Sequence, residues 1–260
     1  MSAVSKLNNE VVGAQVIKRA SQLLREIASR NDQGVRLVDI YKSVGLGQST
    51  AHRLLKALAV EGFVLQDEGS KRYRLGPLIF EFGLAIKSKF DLRAAAQDAM
   101  ERIAAFTEDT VYLVVRSRYE SVCIDRIEGN YPVKVLSLDI GGRRPLGTNA
   151  SGLSILRSLP PAQVEKIIAY NETAYSRFAN FSASRVYKEL AASNTRGYVS
   201  VTVAAGTSAV GLPICGPDRL PLAAIAVAAV ESRMSPGRQT EIVDFMRKEI
   251  AKLEAAISVS

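Results

Sequence analysis

Between Gln48 and Leu58 the segment QSTAHRLLKAL alternates apolar and polar residues at helical spacing. On a wheel of about 100° per residue, Ser49, Arg53 and Lys56 fall opposite Ala51, Leu54, Leu55 and Leu58, with His52 at the border. Gln48, Ser49 and Thr50 occupy the helix's N-terminal turn. Arginine and lysine on such a face reach guanine O6 and N7 or phosphate, and short polar side chains at the N-terminus reach base edges, as in a helix laid in the major groove. An ordinary two-helix corner with a solvated face fits the same spacing.

Other chemistries find little support. His52 is the only histidine, so a Ser-His-Asp triad or a multi-histidine metal site would need a residue already placed on this helix. Cys123 and Cys215 stand far apart in apolar contexts, without CxxC spacing, and read as free buried thiols. The glycine-rich, basic stretch GGRRPLGTNASGLSIL lacks the GxxxxGK[ST] spacing of a phosphate-binding loop. Asp125, Arg126 and Glu128 are alternating charges on a strand and its end. No metal, no cofactor and no enzymatic activity are expected. The rival reading is a small-metabolite enzyme carrying an accessory winged-helix interaction domain.

The elements that must position Arg53 and Lys56 are legible around them. Leu37, Ile40, Tyr41 and Val44 form a short helix that Gly45 interrupts before the second helix begins, a helix-turn-helix pattern. Upstream, residues 14–29 place Val16, Ile17, Ala20, Leu23, Leu24 and Ile27 on one stripe, and Asn31 to Gly34 turn the chain. Downstream, GFVLQDEGSKRYRLG reads as two strands, Phe63-Val64 and Tyr73 to Leu75, around a tip at Glu68-Gly69. Lys71, Arg72 and Arg74 crowd the returning strand, where a winged helix lays its wing on phosphates or in a minor groove. Charge follows this organisation. Of the net +8, residues 1–90 carry 14 Lys and Arg against 8 Asp and Glu, and the remaining 170 carry 20 against 18, an electrostatic footprint suited to double-stranded DNA.

These residues resemble the isocitrate-lyase-regulator (IclR) family of bacterial transcription factors. The matching positions are Gly45-Leu46, Ser49-Thr50, His52-Arg53-Leu54-Leu55, Leu58, Gly62-Phe63-Val64 and Tyr73-Arg74-Leu75-Gly76-Pro77. Arg19 falls where that family has an arginine near phosphate. Arg36 departs from the small helix cap usual there, exchanging capping for a phosphate contact. The resemblance implies a DNA-binding regulator, with repression the expected sign, acting on a metabolic operon.

The domain reading is a loose N-terminus over 1–13, a winged helix-turn-helix over 14–76, a linker helix over 77–91 and an effector-binding, oligomerising domain over 92–260. In the last, a helix from Leu92 precedes strands at 111–116, 121–127 and 133–138. Helices follow around 150–158, 161–170 and 184–193, then strands at 198–203, 209–214 and 222–230 and a closing helix over 236–257. Strands at both ends with helices between them make the fold class α+β, not repeated βαβ units, and the resemblance implies a GAF-like α/β effector domain.

The family's effector signature is matched by Gly142, Pro145, Leu146, Ala150 and Gly152, with Asn149, Leu153 and Ser154 as departures. Residues 199–205 lack the acidic residues of relatives, and Ala226 and Ala228 stand where several relatives place serines. Missing hydroxyls and carboxylates disfavour a small polar acid. The expected effector is an aromatic or apolar-bodied acid held near Asn149, Ala150, Ser154, Ser200, Gly206, Ala226 and Ala228. The alternative is a pocket that has lost its ligand. The family assembles as dimers and tetramers, so a homodimer or homotetramer is expected. No apolar run approaches the roughly 18 residues that span a bilayer and the N-terminus lacks a signal-peptide core, so no membrane partner and a cytoplasmic location are expected.

Overall fold

A computed structural model describes residues 14–85, 92–178 and 181–259. The chain divides into two compact units, one ending at Lys87 and the other beginning at Ser88. The expected linker over 77–91 lies partly outside the described residues.

In the first unit, helices α1 (Gln15–Ala28), α2 (Leu37–Val44) and α3 (Gln48–Val60) precede the hairpin β1 (Val64–Gln66) and β2 (Tyr73–Leu75), then helix α4 (Pro77–Ala85). Leu23, Ile27, Val35, Ile40, Ala51, Leu55, Val64 and Tyr73 are buried together. Val35 and Tyr73 exchange both backbone hydrogen bonds at 2.9 and 2.8 Å, so the turn after α1 is tied to the hairpin. The stripe expected on α1 divides: Leu23 and Ile27 are fully buried, whereas Val16 and Ile17 are 59% and 69% exposed. Only the C-terminal half of α1 contributes to the core with α2 and α3.

The second unit is a six-stranded antiparallel sheet between two helical layers. Its strands are β3 (Thr110–Ser117), β4 (Glu120–Ile127), β5 (Arg143–Pro145), β6 (Val199–Ala204), β7 (Thr207–Cys215) and β8 (Pro221–Val230), in spatial order β5-β4-β3-β8-β7-β6. The helices are α5 (Leu92–Thr107), α6 (Ala150–Arg157), α7 (Pro161–Tyr175), α8 (Ala183–Arg196) and α9 (Pro236–Val259). Period-two alternation sends Val111, Leu113, Val210, Leu212, Ile225 and Val227 to the face covered by α5 and α9. Tyr112, Val114, Ala209, Ala224, Ala226 and Ala228 face the layer of α6 to α8. Small residues on that face admit α6 closely: a Cβ on Gly211 would lie 2.7 Å from Ser154 Oγ and 2.9 Å from Ala150 O.

Two expectations are corrected. Residues 133–138 do not form a strand. Their alternation is partial, with Val135 buried between half-buried Lys134 and exposed Leu136, but the Tyr112 hydroxyl replaces a strand partner, donating to Val135 O at 2.6 Å and accepting from Ser137 N at 3.0 Å. The edge of the sheet is instead β5, which pairs Arg144 with Ser121 and Arg143 with Val122. Helix α7 also runs five residues past the expected Tyr170, to Tyr175, whose buried hydroxyl donates to Leu146 O at 2.7 Å. Among the described residues no helix is long and apolar enough to cross a membrane.

Candidate nucleic-acid interface and ligand cleft

Helix α2 ends at Gly45, which takes the left-handed conformation at φ 72° and lets Leu46 and Gly47 lead into α3. Gly47 stands at the N-cap in extended conformation and offers no side chain to the first turn of α3. Backbone N–H groups of a helix's first turn have no partner within the helix, so this end is left open to an anion. Ala51 and Leu55 are buried, while Gln48, Ser49, His52, Arg53 and Lys56 are exposed and Thr50 is half-buried. The five exposed residues form a continuous polar surface along α3, and Gln48, Ser49 and His52 line a shallow depression with Leu37 of α2. Among the described residues no acidic side chain pairs with Arg53 or Lys56, and their charge is available to an external partner.

The wing is shaped by Asp67. Its Oδ1 accepts from Ser70 N at 2.7 Å and Ser70 Oγ at 2.6 Å, and these bonds, the hydroxyl's first, hold the carboxyl below its ordinary range. Lys71 follows at φ 55°, a left-handed conformation uncommon for a residue with a side chain. The three wing cations are not equivalent. Lys71 and Arg74 are exposed, but Arg72 Nη1 donates to Gly34 O at 2.8 Å and braces the hairpin against the turn after α1. Arg72, expected on DNA phosphates, is thus committed to its own fold. Arg36 is exposed at the N-cap of α2 with no capping bond from its side chain, and Arg19 is half-buried on α1.

In the second unit a narrow cleft opens on the alanine face of the sheet, with a cavity volume of about 30 Å³. Tyr112, Val114, Val135, Leu138, Val203, Ala209, Ala226 and Ala228 make it largely apolar; Ser137, Arg144, Asn149, Ser151, Thr207 and Ser208 add polar groups. Among the described residues no carboxylate lines it. The N-terminus of α6 contributes Ala150 and Ser151 and is capped by Asn149, whose Oδ1 accepts from Gly152 N at 2.6 Å.

Four expected residues, Asn149, Ala150, Ala226 and Ala228, line this cleft. Ser154 does not: it lies under α6 against Gly211, its hydroxyl donating to Ala150 O at 2.8 Å. Ser200 alternates with buried Val199 and Val201 and pairs with Val210, which puts it on the opposite face of the sheet. Gly206 occupies the exposed β6–β7 turn one residue before Thr207, which does line the cleft. Tyr112, Ser208 and Arg144 were not anticipated there. The phase of β3, with Val111 and Leu113 packing one way, could have placed Tyr112 beside the alanines. Nothing in the glycine-rich context of Arg144 identifies β5.

Comparisons with known proteins agree over both units. Residues 16–68 match the IclR helix-turn-helix domain, and residues 84–256 match the family described as bacterial transcriptional regulator IclR C-terminal. The chain is similar to the HTH-type transcriptional regulator KipR of Bacillus subtilis, 28% identical across 86% of this chain and 88% of that protein. It is likewise 28% identical to the transcriptional repressor IclR of Escherichia coli, across 87% of this chain and 84% of the repressor. An IclR homolog from Microbacterium hydrocarbonoxydans, crystallised with 4-hydroxybenzoate, shares the fold with a TM-score of 0.72 at 21% identity, covering 94% of this chain and 100% of the other.

Proposed function

Because the chain belongs to the IclR family of bacterial transcriptional regulators, we propose that α3 reads an operator in the major groove while the wing follows its phosphates. The protein is a DNA-binding transcriptional regulator, not an enzyme. Arg53 is the base-reading residue, supported by Gln48, Ser49 and His52 from the same surface and by half-buried Thr50 in the first turn. Lys56, Lys71, Arg74, Arg36 and Arg19 neutralise phosphate. The observation that carries this reading is the exposed face of α3, basic and, among the described residues, without acidic partners, beginning at a helix end that no side chain caps.

Regulation follows from pairing. Two heads gripping half-sites about one helical turn apart make a pseudo-palindromic operator the expected target, and α4 carries exposed Phe80, Phe82 and Leu84, apolar surface suited to a homodimer or dimer of dimers. The cleft on the alanine face takes a small organic effector with an apolar body, the class that 4-hydroxybenzoate exemplifies in the Microbacterium relative. The effector changes operator affinity only by as much as it prefers one state of the paired heads, and relief of repression is the expected response. Selection of bound fragments from the source genome, followed by anisotropy titration, tests the reading. A recovered two-fold symmetric site that Arg53→Ala binds more weakly supports it, and enrichment of no common sequence overturns it.

A further inference from the structure

Two adjacent arginines in β5 meet opposite fates. Arg143 donates to Glu120 Oε2 at 2.9 Å and to Ser117 Oγ at 2.9 Å, a neutralised pair on one side of the strand. The strand's alternation turns Arg144 to the other side, into the cleft. There its Nη2 donates to Ser137 O at 2.6 Å and its guanidinium lies 5.2 Å from the centre of the Phe178 ring. Among the described residues no carboxylate pairs with it. Burial pulls the guanidinium below its ordinary range, yet an arginine stays charged at any physiological pH. A charge held in a largely apolar cleft without a counter-ion is costly unless something anionic completes it.

We infer that Arg144 is the specificity-determining residue of the cleft and that it selects monoanionic carboxylates with an apolar body. The inference rests on the ligand reading above. Arginine's planar fork suits a carboxylate; Nη2 donates to Ser137 O, and the other donors of this cleft-lining side chain have no carboxylate partner among the described residues. The N-terminus of α6, entering the cleft at Ala150 and Ser151, favours the same sign of charge. Across the cleft lie Ala226 and Ala228, and among the described residues no second cation lines it. A second carboxylate on the ligand would be desolvated there without a partner, so dianions of the same body are rejected.

The test titrates the full chain with benzoate, benzamide and terephthalate by calorimetry. Benzoate is expected to bind at least about tenfold more tightly than the other two, the scale of a lost charge-assisted hydrogen bond. Arg144→Gln should weaken benzoate by a similar factor and abolish the preference over benzamide. Arg144→Lys should retain the preference at reduced affinity, and Arg143→Gln, on the far side of the strand, should bind benzoate like the unaltered protein. Equal binding of benzoate and benzamide to the unaltered chain, a measurement independent of whether any variant folds, overturns the role of Arg144 while leaving the cleft a ligand site. Binding of none of the three probes overturns both the role and the ligand reading.

Discussion

Arg53 on α3 and Lys71 and Arg72 on the wing are all basic, and the structure predicts a different outcome for each. Arg36, Lys56, Lys71 and Arg74, the exposed cations proposed for phosphate, give a dimer eight. If all met phosphate, the slope of log K against log salt would reach about −7, at about 0.9 per contact. Lys71→Ala removes one contact per head and should flatten the slope by about 1.8, weakening operator and random duplex alike. Arg53→Ala should instead cost about 1–3 kcal/mol per half-site on the operator alone, relax base preference, and leave the salt dependence nearly intact. Arg72→Ala loses the hydrogen bond to Gly34 O, half-buried and charge-assisted, and should destabilise the head by about 1 kcal/mol with the slope unchanged. Fluorescence anisotropy on operator and scrambled duplexes across about 50–300 mM KCl, with a urea melt of each variant, separates the three. The reasoning fails if Arg72→Ala flattens the slope as Lys71→Ala does, or if Arg53→Ala weakens both duplexes equally.

Three further outcomes follow from packing and burial. Gly211→Ala puts a methyl 2.7 Å from Ser154 Oγ and 2.9 Å from Ala150 O; urea denaturation should show a loss of about 1–3 kcal/mol, because α6 must shift off the sheet. Asp109, 1% exposed in its side chain, binds Arg233 at 3.0 Å and Arg238 at 2.9 Å, and Asp109→Asn takes the carboxylate from both, leaving Arg233 only the more distant Glu108 at 3.7 Å. Since those arginines keep some solvent contact, the expected cost is about 2–4 kcal/mol by thermal or urea melting, at the lower end of a broken buried pair. Burial pushes the Cys123 thiol up to about 12, and the Cys215 thiol is raised less far by burial and by Glu254 and Asp218. A raised pKa means less thiolate at any given pH, so between pH 7 and 9, windows set by about 8.5 for a free thiol, native protein should titrate slowly at Cys215 and not at Cys123 with a disulfide reagent. Unfolding should make both react, and mass mapping identifies which has been labelled.

The helix-turn-helix was readable because its signals are local. Apolar spacing defines α2 and α3, and Gly45 marks the turn between them. The strands of the second unit were equally readable wherever β-branched residues alternate, and Ala226 and Ala228 could be placed on one face of β8 because Ile225 and Val227 need the other. Residues 133–138 show where that logic stops. Alternation reports which side each residue faces, not whether a neighbouring backbone supplies a ladder, and here one tyrosine hydroxyl from β3 takes the ladder's place. Ser200 was misplaced for a different reason. It was expected in the cleft with Gly206, whereas the apolar pair Val199 and Val201 takes the cleft side of β6 and turns Ser200 the other way.

The basic residues teach a sharper lesson, because charge type alone cannot assign them. Lys71, Arg72 and Arg74 look interchangeable along the chain, yet a carbonyl some forty positions upstream takes Arg72 for the fold and leaves the others exposed. Arg143 and Arg144 differ only in strand phase, yet one faces Glu120 and the other a cleft without an anion. In both places the deciding partner is remote in sequence, so an arginine's role depends on which acceptors the fold brings within about 3 Å. Once those acceptors are identified, Arg53 and Arg144 stand without a carboxylate partner among the described residues, which is the ground for proposing a base edge for the first and a ligand carboxylate for the second.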